Sequence, residues 1–328
     1  MTWQECCRQA VGQLTEADIE NASAESWFLM EASCEISRNF YYLHGNEVMP
    51  PEKEARFQEW VAARCKRIPL QHLTGEQEFM GLPFMVTPDV LIPRQDTEVL
   101  VELALEQLKL LLKQKQQSTV YHDKGSKEEC HLNAANKKEI QLPTDISVQD
   151  EKSDCITDQT EHSLKVLDMC TGSGCIAISL KAFLPQLSVT AADISEKALA
   201  VAEKNAEENK QQITFVKTDL FEHINETYDM IISNPPYIAS GEIPGLMPEV
   251  RDHEPVLALD GKEDGLFFYR KIVENSVEHL VKGGILAFEI GFDQGAAVSD
   301  MMKEQGYTEV RVVKDLAGLD RVVIGRRE

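Results

Sequence analysis

The chain has 328 residues, enough for about two domains that each bury a hydrophobic core. Its formal net charge of −22 argues against non-specific binding to nucleic acid, because such binding needs a surplus of lysine and arginine. Eight cysteines lack metal-site spacing, the N-terminus resembles no targeting peptide, and no apolar run approaches the roughly 20 residues that span a bilayer. We therefore expect a soluble, cytoplasmic protein without a metal site, direct nucleic-acid contact or membrane contact.

The N-terminal part of the chain shows helical and not strand periodicity. Apolar residues recur at helical spacing from Trp3 onward, and ESWFLMEASCEI (25–36) and EKEARFQEWVAARCKRI (52–68) are amphipathic. We predict a small helical bundle over residues 1–75. The next segment, 76–95, is rich in β-forming residues interrupted by glycine and proline, which predicts a β-hairpin linker.

A change of composition follows the linker. A helix is predicted over 96–112, with Asp96 or Thr97 as its N-cap. The segment 113–163 is mostly polar with isolated apolar residues, so it cannot bury enough surface to offset the entropy lost on ordering. We predict a flexible insertion there, inside a catalytic domain that comprises residues 96–328.

Strand-like and helix-like segments alternate after the insertion, which is typical of an α/β fold with a doubly wound, mostly parallel, Rossmann-like sheet. The predicted strands are 164–170, 188–194, 213–217, 228–234 and 284–290, and the predicted helices are 175–184, 196–209 and 265–281. Two further strand-like runs, YTEVRVVKD and LDRVVIGRR, end the chain. They predict a hairpin that completes a seven-stranded sheet, with one antiparallel strand at its edge.

The stretch LKVLDMCTGSGCIAISL (164–180) combines a strand, a glycine-rich turn and an apolar helix. Gly172 and Gly174 permit positive φ and close approach of a ligand to the backbone. Asp193 ends the next strand, where a carboxylate can accept both hydroxyls of a ribose. The turn fits the GxGxxG/A dinucleotide pattern. With Asp168 it also reads D-x-x-T-G-S-G, which resembles motif I of S-adenosylmethionine-dependent methyltransferases. A ligand-free strand–turn–helix is the third alternative, and this element alone does not decide.

The third strand is followed by KTDLFEH (217–223), which contains a second candidate ligand group. Asp219 stands where an acid can meet an adenine amino group, and Leu220 would offer apolar surface beside the ring. A turn aspartate that caps the next segment is an equally good interpretation of Asp219.

The fourth strand runs into Asn234, Pro235, Pro236 and Tyr237. Ligands of a doubly wound sheet bind beyond the carboxyl ends of its strands, so Asn234 is expected to face the same crevice as the glycine-rich turn. The prolines stiffen the loop, and the Asn234 side-chain oxygen and the Pro235 carbonyl give two acceptors that match a planar –NH2 group. Tyr237 supplies a ring for packing against it.

The alternative for this loop is a proline-rich connection with Tyr237 in the core. A dehydrogenase has no evident use for the element, so the dinucleotide interpretation of the glycine-rich turn weakens with it. Together the turn, Asp193 and the NPPY segment favour methyl transfer to an –NH2 nitrogen. Orientation and electrostatics would carry the catalysis, without a dedicated strong base.

Four stretches resemble the bacterial release-factor glutamine methyltransferase family: 69–102, 166–180, 233–238 and 318–326. The most specific of the shared sequences is LIPRQDTE (91–98). The resemblance implies transfer of a methyl group from S-adenosylmethionine to the side-chain amide nitrogen of the glutamine in the Gly-Gly-Gln motif of peptide chain release factors. S-Adenosylhomocysteine is the implied product, and the helical domain is expected to recognise the substrate. We expect a monomer.

The resemblance also assigns residues by position. S-Adenosylmethionine would be bound by Cys170, Thr171, Gly172, Ser173, Gly174, Asp193, Leu220 and Asn234, to which the residue pattern adds Asp168 and Asp219. The substrate glutamine would be held by the catalytic positions Asn234, Pro235, Pro236 and Tyr237. Cys170 stands where the family usually has glycine, and Leu220 where an aromatic residue is common.

Two other functions use the same features. A DNA or RNA amino-methyltransferase would apply the NPPY chemistry to a base, but it usually carries a basic target-recognition region that this acidic chain lacks. A cofactor-binding scaffold without activity is disfavoured because the glycine-rich turn and the acceptor pair are both intact.

Overall fold

The computed structural model describes residues 1–128 and 163–328, with side chains described for 1–115 and 163–328. The N-terminal region consists of α1 (Trp3–Glu16), α2 (Ala22–Cys34), α3 (Arg38–His44), α4 (Pro51–Cys65) and α5 (Leu70–Thr74). A capping box begins α1, in which Thr2 Oγ1 accepts from the backbone N–H of Glu5 and Glu5 Oε2 accepts from that of Thr2. The helices bury a shared apolar cluster that includes Leu14, Met30 and Phe57, so the predicted helical character of 1–75 is confirmed.

The hairpin linker is present as β1 (Glu76–Phe79) and β2 (Leu82–Met85), which pair antiparallel. Asn205, a buried residue of α8 (Glu196–Glu208), fixes the hairpin to the α/β part of the chain. Its Oδ1 accepts from the Met85 N–H at 2.7 Å, and its Nδ2 donates to the carbonyl oxygens of Met85 at 3.0 Å and Ser173 at 2.9 Å. One side chain thereby ties the linker to the glycine-rich turn.

The helix after the linker, α6 (Gln95–Glu128), is longer than predicted. It begins before Asp96, so Asp96 and Thr97 lie in its first turn and neither is the N-cap. It also continues past residue 112, since Lys and Gln at 113–117 are good helix formers without apolar periodicity. Lys115 anchors this part through an ion pair with Asp229 of the central sheet at 2.9 Å. Residues 129–162 of the predicted insertion lie outside the described part of the chain.

The remaining strands form a seven-stranded sheet in the order β5-β4-β3-β6-β7-β9-β8. They are β3 (Lys165–Met169), β4 (Ser188–Asp193), β5 (Thr214–Lys217), β6 (Tyr228–Ser233), β7 (Leu280–Glu289), β8 (Tyr307–Lys314) and β9 (Asp320–Arg327). Strands β3 to β7 are mutually parallel, which confirms the predicted mostly parallel, Rossmann-like α/β fold.

One detail of the sheet was predicted wrongly. The antiparallel strand is β9, and it lies between β7 and β8 and not at the edge. After β7 the chain first forms the edge strand β8, and a tight hairpin then leads into β9, which pairs with both β8 and β7. Because hairpin strands run in opposite directions, β8 regains the direction of the parallel strands while β9 opposes it.

Helices cover both faces of the sheet and bury alternate strand residues. The helices are α7 (Cys175–Phe183), α8, α11 (Phe267–His279) and α12 (Gly295–Glu304), with short α9 (Pro248–Arg251) and α10 (Val256–Leu259) after β6. Met230 and Ile232 of β6 pack on the face covered by α6 and α7, while Ile231 packs on the opposite face. Within the described residues, none of the helices has the length and apolar character needed to cross a membrane.

Candidate active site

A pocket of about 320 Å³ opens at the carboxyl ends of β3, β4 and β6, within the size range of small-molecule sites. Its walls are the glycine-rich turn, the end of β4, the residues after β5 and the start of the NPPY segment. The linker contributes residues 89–91, 93 and 94, and the segment after β6 contributes apolar side chains that include Leu257 and Phe267. The crevice predicted from the strand order is therefore present.

Most of the predicted site residues line this pocket. They are Cys170, Thr171, Gly172, Ser173, Asp193, Asp219, Leu220, Asn234 and Pro236. Asp168, Gly174, Pro235 and Tyr237 are not among the lining residues. The predicted residues are thus brought together at one end of the sheet, and nine of the thirteen line the pocket.

The two glycines of the turn have different roles. Both have positive φ, +55° at Gly172 and +80° at Gly174, which favours glycine over any residue with a Cβ. A Cβ placed on Gly174 would lie 3.0 Å from Ala202 Cβ and from Ile178 Cδ1, so this glycine lets α7 pack closely. A Cβ on Gly172 would meet nothing within 4 Å, so Gly172 leaves its backbone open to a ligand.

Asp193 is oriented by backbone groups before any ligand binds. Its Oδ2 accepts from the Gly172 N–H at 2.9 Å, and its Oδ1 accepts from the Ser195 N–H at 2.9 Å. Burial raises the pKa of Asp193, and hydrogen bonds from the backbone N–H groups around it oppose the rise. Each carboxylate oxygen has a lone pair left, so the pair of oxygens can accept two neighbouring hydroxyl groups.

Asp168 lies beneath the turn and is fully buried. Its Oδ2 accepts from Thr171 Oγ1 at 2.6 Å and from the Ala177 N–H at 3.2 Å, while Oδ1 has no hydrogen-bond partner among the described residues. Burial raises the pKa of Asp168 to about 7, against the opposing effect of these hydrogen bonds. The carboxyl therefore fixes the turn from below.

Two pocket residues have left-handed backbone conformations although they are not glycine. The φ of Cys170 is +62° and that of Leu220 is +47°. Residues with a Cβ rarely adopt this region, which explains physically why glycine suits the position of Cys170. Thr218 supports Leu220, because its Oγ1 donates to the Leu220 carbonyl oxygen at 3.0 Å. Asp219, between them, is exposed at the rim of the pocket.

The backbone at the end of the NPPY segment is held by two hydrogen bonds. The Tyr237 carbonyl oxygen accepts from Gln294 Nε2 at 2.9 Å, and the Ile238 N–H donates to the Leu259 carbonyl oxygen at 3.0 Å. Burial and the nearby charge of Glu289 raise the pKa of Tyr237 to about 12. The Tyr237 hydroxyl therefore stays protonated near neutral pH, and the ring is suited to packing and not to proton transfer.

Sequence reasoning missed several residues at this end of the pocket. Arg94 lines the pocket and pairs with Glu254, a buried residue of the segment after β6. Thr97 also lines the pocket, and its Oγ1 lies 3.4 Å from Asn234 Nδ2. Glu289, at the end of β7, is buried near both Thr97 and Asn234. The available signal was the glutamate inside the otherwise apolar run GILAFEI, because a buried charge needs partners.

Two parts of the chain match known families, and the whole chain has close sequence relatives. Residues 5–75 match the family model of the PrmC N-terminal domain, and residues 150–246 match that of the methyltransferase small domain. The release factor glutamine methyltransferase of Geobacter sulfurreducens is 37% identical over 316 residues, which is 96% of this chain and 93% of that protein. That of Moorella thermoacetica is 35% identical over 331 residues, covering 100% of this chain and 99% of that protein.

Among solved structures, the release factor-specific protein-(glutamine-N5) methyltransferase of Alicyclobacillus acidocaldarius is 28% identical. The match covers 75% of this chain and 99% of that one, with a TM-score of 0.36. The family assignment rests on the sequence relatives, because their alignments with this chain cover almost the full length of both proteins. This chain belongs to the release factor glutamine methyltransferase family.

Proposed function

We propose that this enzyme transfers the methyl group of S-adenosylmethionine to the side-chain amide nitrogen of the glutamine in the Gly-Gly-Gln motif of peptide chain release factors. The observation that carries the proposal is the convergence of Gly172, Asp193 and Asn234 on one pocket. The name shared by the relatives supports the same substrate. We further propose that the enzyme acts as a monomer in the cytoplasm and contacts neither nucleic acid nor membrane directly.

The pocket fits S-adenosylmethionine. The backbone at Gly172 is open, Asp193 presents two fixed acceptors for ribose hydroxyls, and Leu220 with Asp219 stands where the adenine would lie. Cys170, Thr171, Ser173 and Gly174 complete the turn, and Asp168 supports it from below. When bound, S-adenosylmethionine supplies an electrophilic methyl group on a sulfonium and leaves as S-adenosylhomocysteine.

The acceptor side of the pocket positions the amide nitrogen. The Asn234 side-chain oxygen and the Pro235 carbonyl would accept the two amide hydrogens, which directs the nitrogen lone pair toward the cofactor. The prolines keep the separation of the acceptors fixed, because their φ angles are locked. Tyr237 would pack on the flat amide. Fixed orientation supplies most of the rate enhancement, and the methylated nitrogen then loses its proton without a strong base.

Methylation of a nucleic-acid base is the alternative that uses the same acceptors. The net charge of −22 disfavours it, because each phosphate contact requires a cation on the protein. Arg94, a cation at the pocket, is already paired with the buried Glu254 and so is not available as a free phosphate ligand.

The deciding experiment supplies labelled S-adenosylmethionine together with a release factor, a release factor whose motif glutamine is changed to alanine, or DNA and RNA. We expect label on the first protein alone, and mass spectrometry should place one methyl group on the motif glutamine. Label on the alanine variant or on nucleic acid would reject the proposed substrate.

A further inference from the structure

The side-chain amide of Asn234 has a neighbour outside the NPPY segment. Its Nδ2 donates to Thr97 Oγ1, 3.4 Å away, and Thr97 is only 2% exposed. In a side-chain amide the nitrogen donates hydrogen bonds and the oxygen accepts them, and the two atoms point in different directions. When the nitrogen is held by Thr97, the oxygen is left for a ligand in the pocket that Asn234 lines.

Glu289 decides the direction of this hydrogen bond. Ser233 and Phe288 are register partners in the parallel strands β6 and β7, so Asn234 and Glu289 are adjacent where the strands end. Glu289 is 1% exposed, and its Oε2 has no hydrogen-bond partner among the described residues. When Glu289 is ionised it can only accept hydrogen bonds, so beside Thr97 it favours a hydroxyl whose hydrogen points to the carboxylate and whose lone pair is left for Asn234.

The electrostatics agree with this arrangement. Burial raises the pKa of Glu289 to about 7, while hydrogen bonds from the side chains of Thr97 and Asn234 and the positive charge of Arg321 favour the carboxylate. Thr97 and Asn234 are also the residues that connect Glu289 to the pocket. The third, Arg321, belongs to the C-terminal strand β9.

We propose that Thr97 and Glu289 are positioning residues of the methyl-transfer reaction, which orient the Asn234 amide so that its oxygen faces the substrate nitrogen. The inference rests on the proposed function. Glu289 does not line the pocket and Thr97, which does, is only 2% exposed, so we expect both to act through Asn234.

The segment RQDTE (94–98) is built to hold Thr97 in place. Arg94 pairs with Glu254, Asp96 pairs with Arg321 at 3.2 Å, and the Glu98 carboxylate accepts from the Met80 N–H at 2.7 Å. The polar residues on either side of Thr97 are thus anchored to the linker, to the C-terminal strand and to the segment after β6. These ion pairs and the hydrogen bond explain why the segment 94–98 is so polar. The resemblance to the family had assigned no role to this segment.

A matched pair of variants at Thr97 tests the proposal. Thr97→Val keeps the shape and removes the hydroxyl, whereas Thr97→Ser keeps the hydroxyl and removes a buried methyl group. We expect Thr97→Val to slow single-turnover methylation of a release factor about tenfold at saturating S-adenosylmethionine, the factor that one net hydrogen bond is worth. Thr97→Ser should stay near the wild-type rate, and the cofactor affinity of both should be little changed. The reverse ranking, with Thr97→Ser the slower enzyme, would mean that Thr97 only packs.

A double-mutant cycle separates positioning from a general structural role. Glu289→Gln introduces an N–H donor that competes for Thr97, so it should also slow the reaction. In an Asn234→Ala background, Thr97→Val and Glu289→Gln should cause no further loss. Multiplicative losses in that background would overturn the proposal. If the wild-type enzyme fails to methylate the release factor, the proposed function fails; if it is active and Thr97→Val is equally fast, only this inference fails.

Discussion

Each half of the pocket is supported by a buried carboxyl group, but the two groups find their partners at different distances along the chain. Under the glycine-rich turn, Asp168 accepts from residues 3 and 9 positions away. The partners of Glu289 are Asn234 itself, which follows β6, Thr97 of α6 and Arg321 of β9. The support of the glycine-rich turn, in what we propose as the cofactor half of the pocket, is therefore encoded by a local stretch of sequence. The support of Asn234, in the proposed acceptor half, exists only once the whole sheet has assembled.

The largest effect is expected in the acceptor half, from Asn234→Ala. Losing one of two preorganised acceptors should lower methyl transfer to the release factor by about 10²–10³. Cofactor affinity should fall far less, since its proposed contacts lie mainly at the turn and at Asp193. Single-turnover rates at saturating cofactor test this, and a rate within about threefold of wild type would refute the role of NPPY.

Asn234→Asp sharpens the same comparison. It keeps an acceptor oxygen but removes the N–H that Thr97 accepts, and it adds a carboxyl beside Glu289. We expect its rate to fall to the level of Asn234→Ala. A rate clearly above that level would show that the acceptor oxygen alone is sufficient and that the residues behind Asn234 contribute little.

In the cofactor half, Asp193→Ala should weaken S-adenosylmethionine binding by about 1.5–3 kcal/mol, roughly 10- to 150-fold. The loss combines the proposed ribose contacts with the anchoring of the Gly172 and Ser195 N–H groups. Asp219→Ala is the matched control, because Asp219 is an exposed carboxyl of the same pocket. Calorimetric titration should show a much smaller change for Asp219→Ala, and an unchanged affinity for Asp193→Ala would remove Asp193 from the site.

The contrast between the two halves also explains what the sequence could predict. The glycine-rich turn, Asp193 and the strands around them follow from local patterns, and the helix predicted at 175–184 is Cys175–Phe183 in the structure. For Thr97, in contrast, the local sequence suggested only a possible helix cap. Its contact with Asn234, 137 residues away, depends on the tertiary fold and leaves no local signal. The place of β9 beside β7 is likewise a property of sheet assembly.

A fourth prediction concerns stability against pH in the protein without cofactor. The pKa of Asp168 and that of Glu289 are each raised to about 7 by burial, above their values of 3.8 and 4.5 in the unfolded chain. Their neutral forms stabilise the fold below about pH 4, and this stabilisation is lost as the pH rises through about 7. Between about pH 6 and pH 8, each group should lower the free energy of unfolding by about 1 kcal/mol.

Asp168→Asn provides the test of that contribution, because it retains the oxygen that accepts from Thr171 and Ala177 but cannot ionise. Urea unfolding at the two pH values should show a smaller decrease than in wild type. A decrease that remains as large as in wild type would place the titrating group elsewhere.

The smallest effect is expected from Cys170→Gly, which asks whether the locally encoded half carries strain. Cys170 has a φ of +62°, where a residue with a Cβ is disfavoured by roughly 1–2 kcal/mol. Glycine removes that cost but loses about 0.4–1 kcal/mol through its freer unfolded chain. Cys170→Ala is the control, since it removes the sulfur and keeps the Cβ. We expect Cys170→Gly to be about 0.5–1 kcal/mol more stable than Cys170→Ala in denaturant unfolding. Equal stabilities would mean that the left-handed conformation costs a residue with a Cβ no more than glycine loses through its freer unfolded chain, and glycine would then offer no net advantage there.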